Sequence, residues 1–320
     1  MSSDAVVSVI CSTYNHEKYV RDALEGFVMQ KTTFPFEVLI HDDASTDRTQ
    51  DIIREYEAKY PELIKPIYQT ENQYQKPNGV FIIKGFQTSR AGGKYVAFCE
   101  GDDYWTDPLK LQKQYDFMEG HPDYTLCGCS TQWLNMLTGK VENKSRTEQD
   151  VDLDLKGLVL PKNGRPFPYV SFFMKADTWK NVPIWGFPAG DLQITYYAAI
   201  AGKVRMLADN MCVYRWYAKG SWTARNGDEK MRAETCAKMI RGFENMDRDT
   251  NHQYEELIKR RIRALRYTKA LMEHDFDAIR SGELLEIYRQ RDLLHRLSDR
   301  MRCQAPGAYR IVQRIVGYHD

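Results

Sequence analysis

The chain has 320 residues, with 45 Lys and Arg against 44 Asp and Glu and a formal net charge of +1. That length allows one large domain or two ordinary ones, and 42% apolar residues exclude disordered and fibrous classes. The balanced charge excludes a global electrostatic pull toward nucleic acid.

The opening stretch MSSDAVVSVICSTYN lacks the basic, apolar and small-residue succession of a signal peptide. No apolar run approaches the ~20 residues of a membrane span, so a cytoplasmic protein is expected. Val6–Cys11 is instead a continuous apolar run, as a strand buried on both faces requires. Asn15 is placed to cap a helix in which Tyr19, Val20, Ala23, Leu24, Phe27 and Val28 keep helical spacing. Phe36–Ile40 is the next strand and runs into His41-Asp42-Asp43. Ser45 or Thr46 is placed to cap a helix carrying Ile52, Ile53 and Tyr56, which Pro61 closes. Ile64–Tyr68 reads as a third strand, the region near Phe81–Ser89 as a helix, and Tyr95–Cys99 as a fourth strand ending at Glu100-Gly101-Asp102-Asp103. Pro108 suits the start of a helix that runs to about Gly120. Beyond it, Leu126–Leu137 reads as strand, Glu142–Gly164 as loop-rich, and Phe167–Met174 as a return to the sheet. Gly190-Asp191 opens a helix over Leu192–Ala201, and Val204–Leu207 and Met211–Trp216 read as separate strands. From about Asp228 the pattern is helical.

Strand and helix in alternation predict an α/β fold with a mostly parallel central sheet and right-handed crossovers. In such sheets ligands lie beyond the carboxyl ends of the strands. Three polar clusters stand at three such ends: Ser12-Thr13-Tyr14-Asn15, Asp42-Asp43, and Glu100 to Asp103. Their shared edge points to one site.

The last cluster is the sharpest. Several acids within four residues repel one another, so a cleft holds them at low cost only with a cation. Their hard oxygens suit Mg²⁺ or Mn²⁺, which in turn bridge phosphate oxygens, and the small Gly101 allows a diphosphate to come close. The competing reading is a solvated acidic turn in which Asp103 or Thr106 caps a helix. At the second cluster, Asp43 is assigned to the ligand and Ser45 to Asp47 to the helix start. At the first, Tyr14 is placed to stack on a base, although Thr-Tyr-Asn is also ordinary helix-entry chemistry. The seven scattered cysteines read as small buried side chains; Cys127-Gly-Cys129 has no second metal-binding pair. No G-x-G-x-x-G follows the first strand, and Gly92-Gly93-Lys94 lacks the rest of a phosphate loop.

In this order and spacing the three clusters resemble the family 2 glycosyltransferases of the GT-A fold. Val7-Ser8-Val9-Ile10 through Asn15 is similar to that family's opening strand and nucleotide loop, Phe36 through Asp47 to its Asp-Asp-x-Ser turn, and Tyr95 through Asp103 to its D-x-D strand. The resemblance is close over about 5–125 and weaker to about 222. It implies a GT-A domain over 1–225, with a nucleotide-sugar half (1–125) and an acceptor half (126–225), followed by a C-terminal helical region (226–320). It implies that Ser12, Tyr14, Asn15, Asp43, Glu100 and Gly101 bind the nucleotide and that Asp102 and Asp103 hold Mn²⁺ or Mg²⁺. Glu100 stands where the family usually has the first Asp of D-x-D. Asp191 falls where the family has its catalytic base, with a helix N-cap as the competing reading. Tyr217 stands where many relatives carry a metal-reaching His. The implied reaction is inverting transfer from a nucleoside diphosphate sugar, a UDP-sugar foremost, to a hydroxyl of a glycan or lipid-linked acceptor, in bacterial surface polysaccharide synthesis.

Two other classes compete. A sugar nucleotidyltransferase would want a Gly-rich, basic first loop, which Ser12–Asn15 is not. A non-catalytic nucleotide-sugar-binding module would not need Asp43, Asp102 and Asp191 together. The C-terminal helices carry two arginine-rich stretches, Lys259-Arg260-Arg261 with Arg263 and Arg266, and Arg296, Arg300 and Arg302 before Arg310 and Arg314. These read either as a solvated face or as a basic surface for peripheral contact with anionic lipid on the inner face of the membrane.

Overall fold

The computed structural model describes residues 4–77, 79–161, 167–218 and 228–316. Ten strands form one sheet: β1 (Val7–Thr13), β2 (Phe36–Asp42), β3 (Ile64–Tyr68), β4 (Tyr95–Phe98), β5 (Tyr104–Trp105), β6 (Tyr124–Asn135), β7 (Val141–Ser145), β8 (Val151–Leu153), β9 (Phe173–Lys175) and β10 (Lys203–Trp216). The helices around it are α1 (Val20–Val28), α2 (Thr49–Lys59), α3 (Gly79–Arg90), α4 (Lys110–Gly120), α5 (Leu155–Val159), α6 (Ala176–Lys180) and α7 (Gly190–Ala201).

The strand order is β3-β2-β1-β4-β9-β6-β10-β5, with β7 on β6 and β8 on β10. The first four strands are parallel, and Val7 lies opposite both Phe36 and Tyr95. β9 runs antiparallel between β4 and β6, and β6 and β10 are parallel again. The α/β class and the helix-flanked central sheet are therefore as expected.

The apolar runs of the parallel strands follow from burial on both faces. Along β1, Val7, Val9 and Cys11 join the core under α1 and α2, while Ile10 faces the core that includes Trp179 of α6 and Ala198 of α7. Successive side chains alternate faces, so a strand covered on both sides must be apolar throughout.

Several local expectations are corrected. Asn15 does not cap α1; its φ is +55°, and its side-chain oxygen accepts from the Thr46 N–H at 2.8 Å. Ser45 and Thr46 do not cap α2, which begins only at Thr49. The two strands expected around Asp209-Asn210 are one strand, β10, whose register against β6 shifts there; the polar pair marks a bulge rather than a turn. The Glu142–Gly164 stretch holds β7, β8 and α5, with 162–166 outside the described residues.

The chain divides into two compact units, Met1–Pro183 with Gly190–Ser221, and Ile184–Ala189 with Trp222–Asp320. The second is helical: α8 (Glu229–Asp249), α9 (Glu255–Met272), α10 (Phe276–Ile279), α11 (Leu284–Gln290), α12 (Leu293–Gln304) and α13 (Pro306–Val316). Tyr267, Leu271, Phe276, Ile279, Leu284 and Cys303 form an apolar cluster of its own. Among the described residues, no helix is long and apolar enough to cross a membrane.

Candidate active site

The strand order reverses at β1: β2 and β3 follow on one side, β4 on the other. Crevices at such a switch point, beyond the carboxyl ends, are where open α/β sheets hold ligands. Backbone hydrogen bonds join the three polar clusters there. The Asp43 N–H donates to Thr13 O and the Gly101 N–H to Ser12 O, both at 2.9 Å. Ser12 and Thr13 thus stand between the Asp43 turn on one side and the acidic turn on the other.

The acids after β2 are already supplied with donors. Asp42 accepts from the Ser45 N–H at 3.0 Å, the Ser45 hydroxyl at 2.5 Å and Gln50 Nε2 at 2.6 Å. Asp43 is buried and accepts from the backbone N–H of Gln73 at 2.7 Å and of Tyr74 at 3.0 Å. Asp47 accepts from the Thr49 N–H at 3.0 Å and the Glu17 N–H at 3.1 Å, at the entry to α2. Asn15 clasps the loop after β1 to the loop after β2, its N–H donating to Ser45 Oγ at 2.9 Å. Ser12 is half-buried, and Tyr14 is exposed beside it.

The turn after β4 is different. One carboxylate oxygen each from Glu100, Asp102 and Asp103 lie within 4.8 Å of one another. Among the described residues the Glu100 carboxylate accepts no hydrogen bond. The Asp102 carboxylate likewise accepts no hydrogen bond among the described residues, and the His16 ring lies beside it, Nε2 to Oδ2 at 4.0 Å. Asp103 is buried and accepts from the Arg215 N–H at 2.8 Å. Gly101 fits because nothing larger does: a Cβ there would stand 2.7 Å from Thr13 Oγ1 and 3.0 Å from His16 Nδ1.

Mutual repulsion shows in the titration of the group. The Glu100 carboxyl is reached by solvent but walled by protein, and burial, then the charges of Asp102 and Asp191, push it up to about 8. Burial and the Asp102 charge hold Asp103 well above the usual carboxylate range. The hydroxyls of Tyr169 and Tyr214 are raised by burial and then by these acids. Asp191 acts on Glu100, Tyr169 and Tyr214, so the start of α7 brings it within electrostatic reach of the turn. Its Oδ1 also accepts from the N–H of the next residue, Leu192, at 2.8 Å; Asp191 is the second residue of α7, in the first turn, where a carboxylate suits the helix dipole, rather than its N-cap.

Arg215 fastens the turn and was not legible as a functional residue. Its Nη1 donates to Asp102 O at 2.8 Å, Nη2 pairs with Asp22 of α1, and the guanidinium lies 4.4 Å from the Tyr104 ring centre and 5.2 Å from that of Tyr19. A cation inside the apolar run Met211–Trp216 was the available signal, since a buried arginine requires partners. His16 stands against Asp102, and its Nδ1 lies where a Cβ on Gly101 would come within 3.0 Å. Tyr217 has a φ of +61° and stacks on Trp216 at 4.4 Å.

Comparison with known proteins follows the same lines. The family model described as glycosyl transferase family 2 matches residues 8–174. An uncharacterized Mycobacterium tuberculosis protein, Rv1520, is 36% identical over 236 residues, 72% of this chain and 64% of its own length. The chain thus spans less than two thirds of that relative. TuaG of Bacillus subtilis, whose name places it in teichuronic acid biosynthesis as a glycosyltransferase, is 39% identical over 113 residues, covering 35% of this chain and 42% of its own. Among solved structures, S. aureus TarS in complex with UDP-GlcNAc aligns with a TM-score of 0.56 at 18% identity, over 89% of this chain and 91% of that one. The mannosyltransferase PcManGT of Pyrobaculum calidifontis, in complex with GDP-Man and Mn²⁺, aligns at 0.56 and 16% identity over 99% and 89%. At these identities the structures speak for a shared fold, the GT-A fold of these two transferases. The sheet order, the three strand-end clusters and the match over more than half of its length together assign the chain to glycosyl transferase family 2.

Proposed function

We propose that this protein transfers a sugar, with inversion, from a nucleoside diphosphate sugar to a hydroxyl of a saccharide acceptor. The observation that carries the reading is the clustering of Glu100, Asp102 and Asp103 within 4.8 Å at the switch point of the sheet. The donor set fits a divalent cation: all hard oxygens, two of the three without a hydrogen-bond donor, around a glycine that admits no side chain. Glu100 and Asp102, with Asp103 behind them, would hold Mn²⁺ or Mg²⁺. Bound there, the ion would offset charge growing on the departing diphosphate.

Around it, Ser12, Tyr14 and Asn15 line the nucleotide side. Asp43 offers the remaining lone pairs of its oxygens to the base or ribose. Arg215 holds Asp102 and Asp103 in place through Asp102 O and its own N–H. Asp191 takes the proton of the acceptor hydroxyl as it attacks the anomeric carbon. The division is a nucleotide-sugar half over 1–125, an acceptor half over 126–225 and a helical region over 226–320. UDP-sugars are the first donors to test and GDP-sugars the second, since TarS and PcManGT were solved with one of each. A lipid-linked saccharide of a bacterial surface polysaccharide is the acceptor class in view, by analogy with the name of TuaG.

The test is a melting screen of the full chain against nucleoside diphosphates and their sugars, with and without Mn²⁺, followed by slow release of the diphosphate from the donor that stabilises. Asp102→Ala abolishes release, and Asp191→Asn keeps the donor-induced stabilisation but loses transfer. Stabilisation by no nucleotide at all, or undiminished release by Asp102→Ala, overturns the reading.

A further inference from the structure

Among the described residues, five of the thirteen exposed large apolar side chains lie in the last two helices: Leu293, Leu294 and Leu297 on α12, Ile311 and Val312 on α13. Single exposed leucines need no explanation; a group of them does. On α12 the arrangement is the reverse of an ordinary surface helix. At 100° per residue, Leu293, Leu294, Leu297 and Met301 share one face, and it is the outer one, since Leu294 is 78% exposed. The inner face buries two charged residues beside Cys303. Asp299 is buried, accepts from the Tyr267 hydroxyl at 2.5 Å and pairs with Arg291 at 2.7 Å. Arg302, also buried, pairs with Glu229 at 2.8 Å.

Within the two helices the exposed charge is of one sign; the exposed acid beside them, Asp292 at the start of α12, is paired with His295 at 2.6 Å. From Leu293 to Val316 the sequence holds five arginines, no lysine, no glutamate and one aspartate, the buried Asp299. Arg296 and Arg300 run along one edge of the leucine stripe, one turn apart, and Arg310 is exposed on α13. In the other basic stretch three of the five cations are paired with acids. On α9, Lys259 pairs with Glu255 at 3.0 Å, Arg266 with Glu283 at 2.7 Å, and Arg263 with Glu286 at 3.5 Å.

We infer that the outer face of α12 and α13 is a membrane-docking surface, lying in the plane of an anionic lipid bilayer with Leu293, Leu294, Leu297, Ile311 and Val312 in the interface and the arginines at the phosphates. An apolar face with cations beside it fits that surface in both of its parts. A second copy of the chain fits it less well, because a two-fold contact would bring the arginines of both copies into one interface with no exposed acid within α12 or α13 to meet them. A polynucleotide would satisfy the arginines but leave the leucines in water. The inference extends the reading of a lipid-linked acceptor, but binding to lipid can be measured apart from transfer.

The test is co-sedimentation of the full chain with vesicles of phosphatidylcholine alone and of phosphatidylcholine with about 30 mol % phosphatidylglycerol. Binding is expected to the anionic vesicles only, falling at least about tenfold when salt is raised to about 0.5 M. Arg300→Gln with Arg310→Gln lowers affinity by about 25-fold, about fivefold for each cation. Leu293→Gln, Leu294→Gln and Leu297→Gln together abolish binding while leaving the melting temperature and diphosphate release in solution unchanged, since the three side chains are exposed. Absence of binding to anionic vesicles, equal binding to both kinds, binding unaffected by the leucine triple variant, or a dimer in solution that the triple variant dissolves overturns the inference. Loss of diphosphate release by Asp102→Ala with vesicle binding intact shows the two readings to be separable; failure of the transferase reading alone leaves lipid binding standing.

Discussion

Replacement of Gly101 by alanine tests whether the acidic turn is seated as tightly as its position beneath β1 requires. The new Cβ would lie 2.7 Å from Thr13 Oγ1, 2.8 Å from Thr13 Cβ and 3.0 Å from His16 Nδ1, where ordinary contact begins at 3.4 Å. Rotation of the Thr13 side chain can move its oxygen but not its Cβ, which is fixed to the end of the central strand. The Gly101 N–H is bonded to Ser12 O at 2.9 Å, so the turn cannot back away without stretching that bond. The shortfall, roughly 0.6 Å at the Thr13 Cβ, must be taken up by the backbone, at a cost of about 2 kcal/mol, within the range for overpacked interiors. That corresponds to a fall in melting temperature of about 4–8 °C. Because the displaced segment carries Glu100 and Asp102, diphosphate release should fall by at least about tenfold, more than the stability loss accounts for. Gly120→Ala is the control, since nothing lies within 4 Å of the added methyl group. Thermal unfolding by circular dichroism and a diphosphate-release assay on both variants read the two effects. A Gly101→Ala protein that melts within about 1 °C of the parent and releases diphosphate at the parent's rate refutes the reasoning.

Arg215→Met removes the donor to Asp102 O and the partner of Asp22 but keeps the main-chain bond to Asp103; it should cost about 1–3 kcal/mol and weaken Mn²⁺-dependent nucleotide binding, read by thermal unfolding and titration calorimetry. Arg215→Lys restores little, because an ammonium group cannot reach both partners from one plane. Gly85→Ala, in the exposed interior of α3 with nothing within 4 Å, should stabilise by about 0.5–1 kcal/mol, read by denaturant unfolding. For pH, the sign follows from Glu100 and Asp103, whose carboxyls are raised in the fold and so bind protons more tightly there than in the unfolded chain. In chelator, stability should be greatest below the ordinary Glu value of 4.5 as far as these groups decide it, and be lost as pH rises through about 8 for Glu100. Added Mn²⁺ should flatten that slope in melting curves taken between the two limits.

The parallel half of the sheet was legible because strands buried on both faces leave continuous apolar runs, and polar clusters that interrupt such runs stand out. The acidic turn was legible for the same reason. What surrounds it was not. Arg215 and Asp22 are 193 residues apart in sequence, and neither carries a local sign of the other. Asn15 reads as a helix cap because its residue type suits one, but its left-handed backbone turns the side chain toward Thr46 instead. The bulge in β10 reads as a turn because a polar pair interrupts two apolar runs in either case. The leucines of α12 keep helical spacing, and spacing alone does not say which face is turned inward; here a network of Asp299, Arg291, Arg302 and Glu229 occupies the inside.

The two acidic clusters looked alike as sequence, each a run of carboxylates at a strand end, and the fold separates them by what their oxygens accept. After β2, Asp42, Asp43 and Asp47 receive backbone N–H groups, hydroxyls and an amide from their own turn, from α2 and from the loops after β1 and β3. After β4, the Glu100 and Asp102 carboxylates receive no hydrogen bond among the described residues, and burial, then the charges of Asp102 and Asp191, oppose ionisation of Glu100. A protein could relieve that repulsion by turning the side chains into solvent. Here Gly101 against Thr13, the Arg215 bonds and the strand-end backbone contacts hold the turn where it is. Shape is therefore maintained against charge, and on the proposed reading a divalent cation from outside the chain would resolve the conflict. On that reading the acids after β2 shape the nucleotide side, with Asp43 open to the ligand, and those after β4 hold the ion.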